Sequence, residues 1–158
     1  MQATLQKEQQ WLDKLIGEWT FEAECAMEPG QPPTKSKGTE VVRSLGGLWI
    51  VAEGESEMPD GITSKSIITL GFDPQTNRYI GTFVCSMMSY LWRYDGSLDS
   101  GEKVLTLDTE GPTCKQESLS KYQDIIEFVS DDHRILRSQI LGEDGNWQQF
   151  MTSHYWRK

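Results

Sequence analysis

A chain of 158 residues, 37% hydrophobic and 25% charged, is sized and composed for one globular domain. Its formal charge of −9, with no basic run, removes the electrostatic attraction that nucleic acids and anionic membrane surfaces exploit. No apolar stretch approaches the roughly 20 residues that span a bilayer, and Met-Gln-Ala-Thr-Leu-Gln-Lys-Glu at the start lacks the apolar core of a signal peptide. Cys25, Cys85 and Cys114 lie far apart without a Cys-x-x-Cys pair. That odd count favours reduced thiols and a cytoplasmic location, although a single Cys25–Cys85 bridge stays open.

Residues 4–16 read as one helix. Leu5, Trp11, Leu12, Leu15 and Ile16 fall near a 3.6 period, Thr4 is the expected N-cap and Gly17 the stop. So short a helix needs a surface to dock on. After Gly17 the period changes to two: Trp19, Phe21, Ala23, Cys25 and Met27 alternate with Glu18, Thr20, Glu22 and Glu24, as in a half-buried strand. A polar Pro/Gly loop is expected over 29–37. Strands are expected near 38–45, 48–57, 64–72, 78–87, 90–97, 103–109, 119–129, 133–141 and 146–157, about ten in all.

The turns set the pairing. Gly46-Gly47 and Asp144-Gly145 read as two-residue hairpin loops, Asp73–Asn77 as a longer one with Pro74 presetting φ, and Asp131-Asp132 as another. Consecutive hairpins without crossover helices exclude parallel pairing. A closed up-and-down antiparallel barrel with one N-terminal helix removes the exposed strand edges, and residues 1–158 are read as that single domain, the barrel filling about 18–157.

If Asp144-Gly145 is a two-residue loop, His154 opposes Ile135 and His133 faces Trp156. The only two histidines then become diagonal neighbours on one sheet face, about 7–8 Å apart at Cα. Two imidazoles without a third placed ligand do not make a metal site, and none is assigned. If Asp131-Asp132 is the preceding loop, Phe128 opposes Ile135. Tyr122, Asp124, Ile126 and Phe128 then share a face with Ile135, Arg137, Gln139, Phe150, Thr152, His154 and Trp156. Both faces of these strands are mixed, so the pattern alone does not name the inward one. An inward Arg137 and His154 would imply a wet cavity or an anionic ligand.

Met87–Tyr94 is the densest aromatic stretch, with Tyr90, Trp92 and Tyr94 on one strand face by parity. Aromatics with polar tips suit either a filled core or the wall of a ligand cavity. No Gly-x-Ser-x-Gly elbow, P-loop or dinucleotide fingerprint is present, and Cys85 beside Ser86 has no positioned base. Nothing compels an enzyme. The expected function is a non-enzymatic barrel holding a small, mostly apolar molecule, with Tyr90, Trp92, Tyr94, Arg137 and His154 as candidate contacts. A homodimeric interaction module is the alternative that six tryptophans suggest.

Trp11-Leu12-x-x-Leu15-Ile16-Gly17-Glu18-Trp19-Thr20 places a Gly-x-Trp at the entry to the first strand, an arrangement that resembles the calycin, or lipocalin-like, barrels. The whole chain more closely resembles a mainly bacterial family, the domain of unknown function fifteen-seventy-nine. The matching pieces are Leu15–Trp19, Ser44–Trp49, Thr69–Pro74, Tyr94–Leu98 and His154–Lys158. The resemblance implies a barrel with an N-terminal helix and no established activity. It also implies structural roles for Gly17, Trp19 and Arg157, the arginine packing across the indole at the closed end. A second resemblance, to the haem-binding nitrobindins, implies His154 as an axial ligand; Thr20-Phe21-Glu22 departs from their small glycines at that point. No other cofactor is expected.

Overall fold

The computed structural model describes residues 3–26, 30–113 and 118–158. Met27, Pro29 and Cys114 lie outside them. A short helix α1 (Lys7–Trp11) runs into a 3-10 turn (Leu12–Leu15). Ten strands follow: β1 (Gly17–Cys25), β2 (Thr34–Leu45), β3 (Trp49–Glu57), β4 (Thr63–Asp73), β5 (Arg78–Cys85), β6 (Met88–Leu98), β7 (Val104–Pro112), β8 (Leu119–Ser130), β9 (His133–Leu141) and β10 (Trp147–Arg157). Each pairs antiparallel with its chain neighbour, and β1 closes on β10, giving a complete up-and-down barrel. Among the described residues no helix is long and apolar enough to cross a membrane.

The sequence expectations fail at several boundaries for identifiable reasons. The helix starts at Lys7, because Gln6 rather than Thr4 is the cap: the Gln6 N–H donates to Gln9 Oε1 at 2.6 Å. β2 begins at Thr34, so the loop expected to reach Lys37 is shorter. Gly46 and Gly47 do take the positive φ that a primed turn requires, but Leu45 pairs with Trp49, leaving three residues in the loop. The Asp144-Gly145 loop is also wider than two residues. The Gly142 N–H donates to Asn146 O, and Trp147 pairs with Leu141.

The helix plugs one end of the barrel. Trp11, Leu12 and Leu15 are buried with Val42, Ile50, Leu70, Phe72, Tyr79, Leu105 and Leu107. Polar tips fasten this plug to strand ends and turns: Trp11 Nε1 donates to Glu102 O at 2.7 Å, Tyr79 OH to Glu8 O at 2.9 Å and Gln9 Nε2 to Phe72 O at 3.2 Å. Burying these aromatics supplies what so short a helix lacks in intrinsic stability. Among the described residues the opposite end has no such cover. There the inward-facing Ala23, Ser36, Gly38, Ser56, Ser66, Phe83, Tyr90 and Trp92 are only half-buried.

Candidate functional site

The barrel interior divides into a sealed core and an open cup, separated by a polar layer. On the core side Trp19 is fully buried and donates Nε1–H to Leu15 O at 2.9 Å. Arg157 lies 4.2 Å from its ring and ties the barrel end together, donating to Ile16 O at 2.7 Å, Lys14 O at 2.9 Å and Asp131 O at 3.1 Å. Gly17 has φ +134°, and a Cβ there would sit 2.6 Å from an Arg157 nitrogen. Its lack of a side chain therefore makes room for the guanidinium as well as permitting the backbone turn.

A second arginine comes from inside. Arg134, on β9, is buried with Glu40 of β2 and donates to that carboxylate. Its guanidinium carbon lies 3.9 Å from the Tyr155 ring and 4.6 Å from Trp19. Beside it Tyr94 OH donates to Asp124, which also accepts from Ser138 Oγ at 2.5 Å. Burial raises the Asp124 carboxyl above its ordinary range, against the lowering effect of the Ser138 and Tyr94 hydrogen bonds. Burial also raises the Tyr94 and Tyr155 phenols, so both stay protonated donors at neutral pH. The enclosed space at this level, bordered by Arg134, Glu40, Tyr94, Asp124 and Tyr155, is about 30 Å³, room for one water.

Above the polar layer an aromatic wall rises towards the rim. Tyr90 and Trp92 meet edge to face at 5.1 Å between centroids, Trp92 and Tyr122 at 5.1 Å, and Tyr122 and Phe150 at 6.0 Å. Hydrogen bonds aim the rings: Tyr90 OH donates to Glu110 O at 2.9 Å and Tyr122 OH to Pro112 O at 2.7 Å. The wall of β2–β4 carries the small inward residues Ser36, Gly38, Gly54, Ser56 and Ser66. The Phe21 ring packs over part of this small-residue wall: a Cβ on Gly38 would lie 2.7 Å from it. The β6–β7 junction is also unusual. Pairing there runs only from Asp95↔Asp108 to Leu98↔Leu105, so the strands part towards the rim. Trp92 fills the parting: a Cβ on Gly111 would lie 2.0 Å from its ring.

The candidate contacts from sequence fall in two places. Tyr90, Trp92 and Tyr94 face inward, Tyr94 at the floor and the other two in the wall. Arg137 and His154 face outward. Arg137 pairs with Glu127 at 2.9 Å on the surface. The cause is a register irregularity between Phe128 and Ser130, so Phe128 opposes Arg134 instead of Ile135, and the face expected to be continuous is split. Even-numbered residues of β9 point inward, and the buried arginine is Arg134, which sequence reasoning did not select. The expected partners of β10 do occur, His154↔Ile135 and Trp156↔His133. His133 Nε2 and His154 Nδ1 are 3.0 Å apart, and both rings stack on Trp156. This cluster lies on the outer surface, so His154 supplies no axial ligand to a haem inside the barrel. No group of three or more His, Cys, Asp or Glu among the described residues is arranged to hold a metal.

An open concavity of about 1330 Å³ runs over the rim. The inward Ala23 and Ser36 line it together with the outward Glu24, Lys35, His154 and Trp156 and the Met58–Asp60 turn. Its charged groups are free to meet water, whereas the cup presents apolar rings that gain by being covered. The cup is therefore the candidate site.

Residues 4–157 match the model of a family described as protein of unknown function DUF1579. The chain belongs to this family. No sequence match is found among curated proteins. Among solved structures the family member is similar to Rv2717c from M. tuberculosis, at 14% identity and a TM-score of 0.65, covering 98% of this chain and 99% of that one. It is also similar to the S-type phycobiliprotein lyase CPES from Guillardia theta, at 12% identity and a TM-score of 0.62, covering 99% and 98%. A third similar structure, EF1p2_mFAP2b bound to DFHBI, has 13% identity and a TM-score of 0.51, covering 95% and 98%. At these identities the likeness is one of fold.

Proposed function

We propose that this protein is a non-enzymatic, calycin-like barrel of the cytoplasm that holds one small, mostly apolar molecule in its open half. The observation that carries the reading is the inward wall Tyr90–Trp92–Tyr122–Phe150, whose Tyr90 and Trp92 are half-buried although they point into the barrel. Aromatic surface left uncovered inside a concavity gains free energy when an apolar body displaces the water from it. One barrel of similar fold is described as bound to DFHBI, which supports ligand binding by a barrel of this shape. The odd number of scattered cysteines supports the location.

Titration with the neutral dye N-phenyl-1-naphthylamine tests the reading. A saturable, one-to-one rise in dye emission is expected. Trp92→Leu should weaken it about tenfold, the equivalent of about 1.4 kcal/mol of lost ring contact. His154→Ala should leave it within about twofold, because that side chain faces out. No saturable binding, or equal losses in the two variants, would contradict the proposal.

A further inference from the structure

Two inward-facing polar atoms, Arg134 Nε and Thr109 Oγ1, have no hydrogen-bond partner among the described residues. Their residues are 3% and 9% exposed. An unspent donor at such depth costs about 1–3 kcal/mol, which a ligand atom or an ordered water recovers. Both can donate, since Arg Nε–H only donates and a hydroxyl rotor turns to suit. Arg134 borders the small space at the polar layer, and Thr109 pairs with Tyr122 of the aromatic wall. One unspent donor thus stands in the polar layer and the other beside the wall.

The charges nearby decide what kind of acceptor fits. The Arg134 cation is already neutralised by Glu40, and Asp124 stands at the same level as a second carboxyl. An incoming anion would meet two acidic groups and, among the described residues, no free cation, in an interior where charge is poorly screened. A neutral acceptor meets N–H and O–H donors without that repulsion. Resting on the ligand-binding reading above, we infer that the cup selects an uncharged carbonyl-type molecule, its apolar body on the aromatic wall and its oxygen at the donors.

Three naphthalenes of nearly equal size separate the alternatives: 2-acetylnaphthalene, 2-ethylnaphthalene and 2-naphthoate, each competed against N-phenyl-1-naphthylamine on the intact protein. The ketone should bind roughly threefold to tenfold more tightly than the hydrocarbon, as one buried hydrogen bond provides, and the carboxylate should bind weakest. Thr109→Val should narrow the ratio of ketone to hydrocarbon affinity. Dye binding with no preference for the ketone would overturn the inference and leave the ligand-binding reading standing, the donors then being served by water. Preference for the carboxylate would overturn it by showing that the local charge favours anions. Failure of the dye itself to bind would defeat both readings.

Discussion

At the scale of single residues, the most consequential group is Asp124, a carboxyl sealed in the barrel with Tyr94 and Ser138 as its donors. Its native pKa is raised by burial, while in the unfolded chain it returns to the ordinary carboxylate range. Between those two values the native state holds a proton that the unfolded state has lost, so stability contributed by this group falls as pH rises through the window. Asp124→Asn removes the titration. Thermal melts from about pH 4 upward are therefore expected to show the variant gaining on the parent as pH increases, before levelling off. A difference that stays constant with pH, or that shrinks, would contradict the assignment. The neighbouring Arg134 shows where residue-level reading from sequence stops. Arg134 and Arg137 are both arginines on β9, three residues apart and so on opposite faces. Only the register irregularity near Val129 decides which one is buried, and alternation in the chain does not announce it.

At the scale of elements, the ends of the strands follow turn chemistry, whereas the pairing between them depends on irregularities. The β9–β10 loop is wider than Asp144-Gly145 alone implies, yet His154 still opposes Ile135, because a second shift between Gln149 and Met151 restores the count. Two departures cancel there, and the histidine neighbourhood emerges from the simple arithmetic. On β8–β9 one departure stands uncancelled, and the face assignment fails. The aromatic run on β6 was readable by parity although its pairing with β5 shifts between Phe83↔Trp92 and Cys85↔Met88, because the shift is by two residues and keeps the alternation of faces. The polar tie between β2 and β9 was not readable, since Glu40 and Arg134 are 94 positions apart and meet only once the barrel closes. Removing one partner should be costly: Glu40→Gln is expected to lower stability by about 3–5 kcal/mol in urea unfolding, leaving Arg134 buried and unpaired. Adding Arg134→Met should recover much of that loss, because a methionine needs no counter-charge. Additive losses in the double variant would show that the two side chains do not act as a pair.

At the scale of the whole molecule, one end is closed by a short helix of large apolar side chains, and among the described residues the other is left open above a polar floor. The closed end was legible as a barrel with a helix because Gly17–Trp19, the hairpin turns and the period-two strands agree with one another. The cup was legible only in part. Its rings were visible in Met87–Tyr94, but its small-residue wall is spread over β2, β3 and β4, and its unspent donors come from two further strands, β7 and β9. The molecule also carries exposed apolar side chains on its outer surface, among them the cross-strand neighbours Ile67 and Val84, and Leu91 of β6. A dye could adhere there without entering the barrel. Methyl-detected nuclear magnetic resonance during titration with N-phenyl-1-naphthylamine separates the two sites in one measurement. The expected result is saturable shifts at the inward methyls of Ala23, Ile140 and Met151, with Ile67, Val84 and Leu91 unmoved. Shifts confined to that outer set, or none at all, would contradict the claim that the open half of the barrel is a binding site.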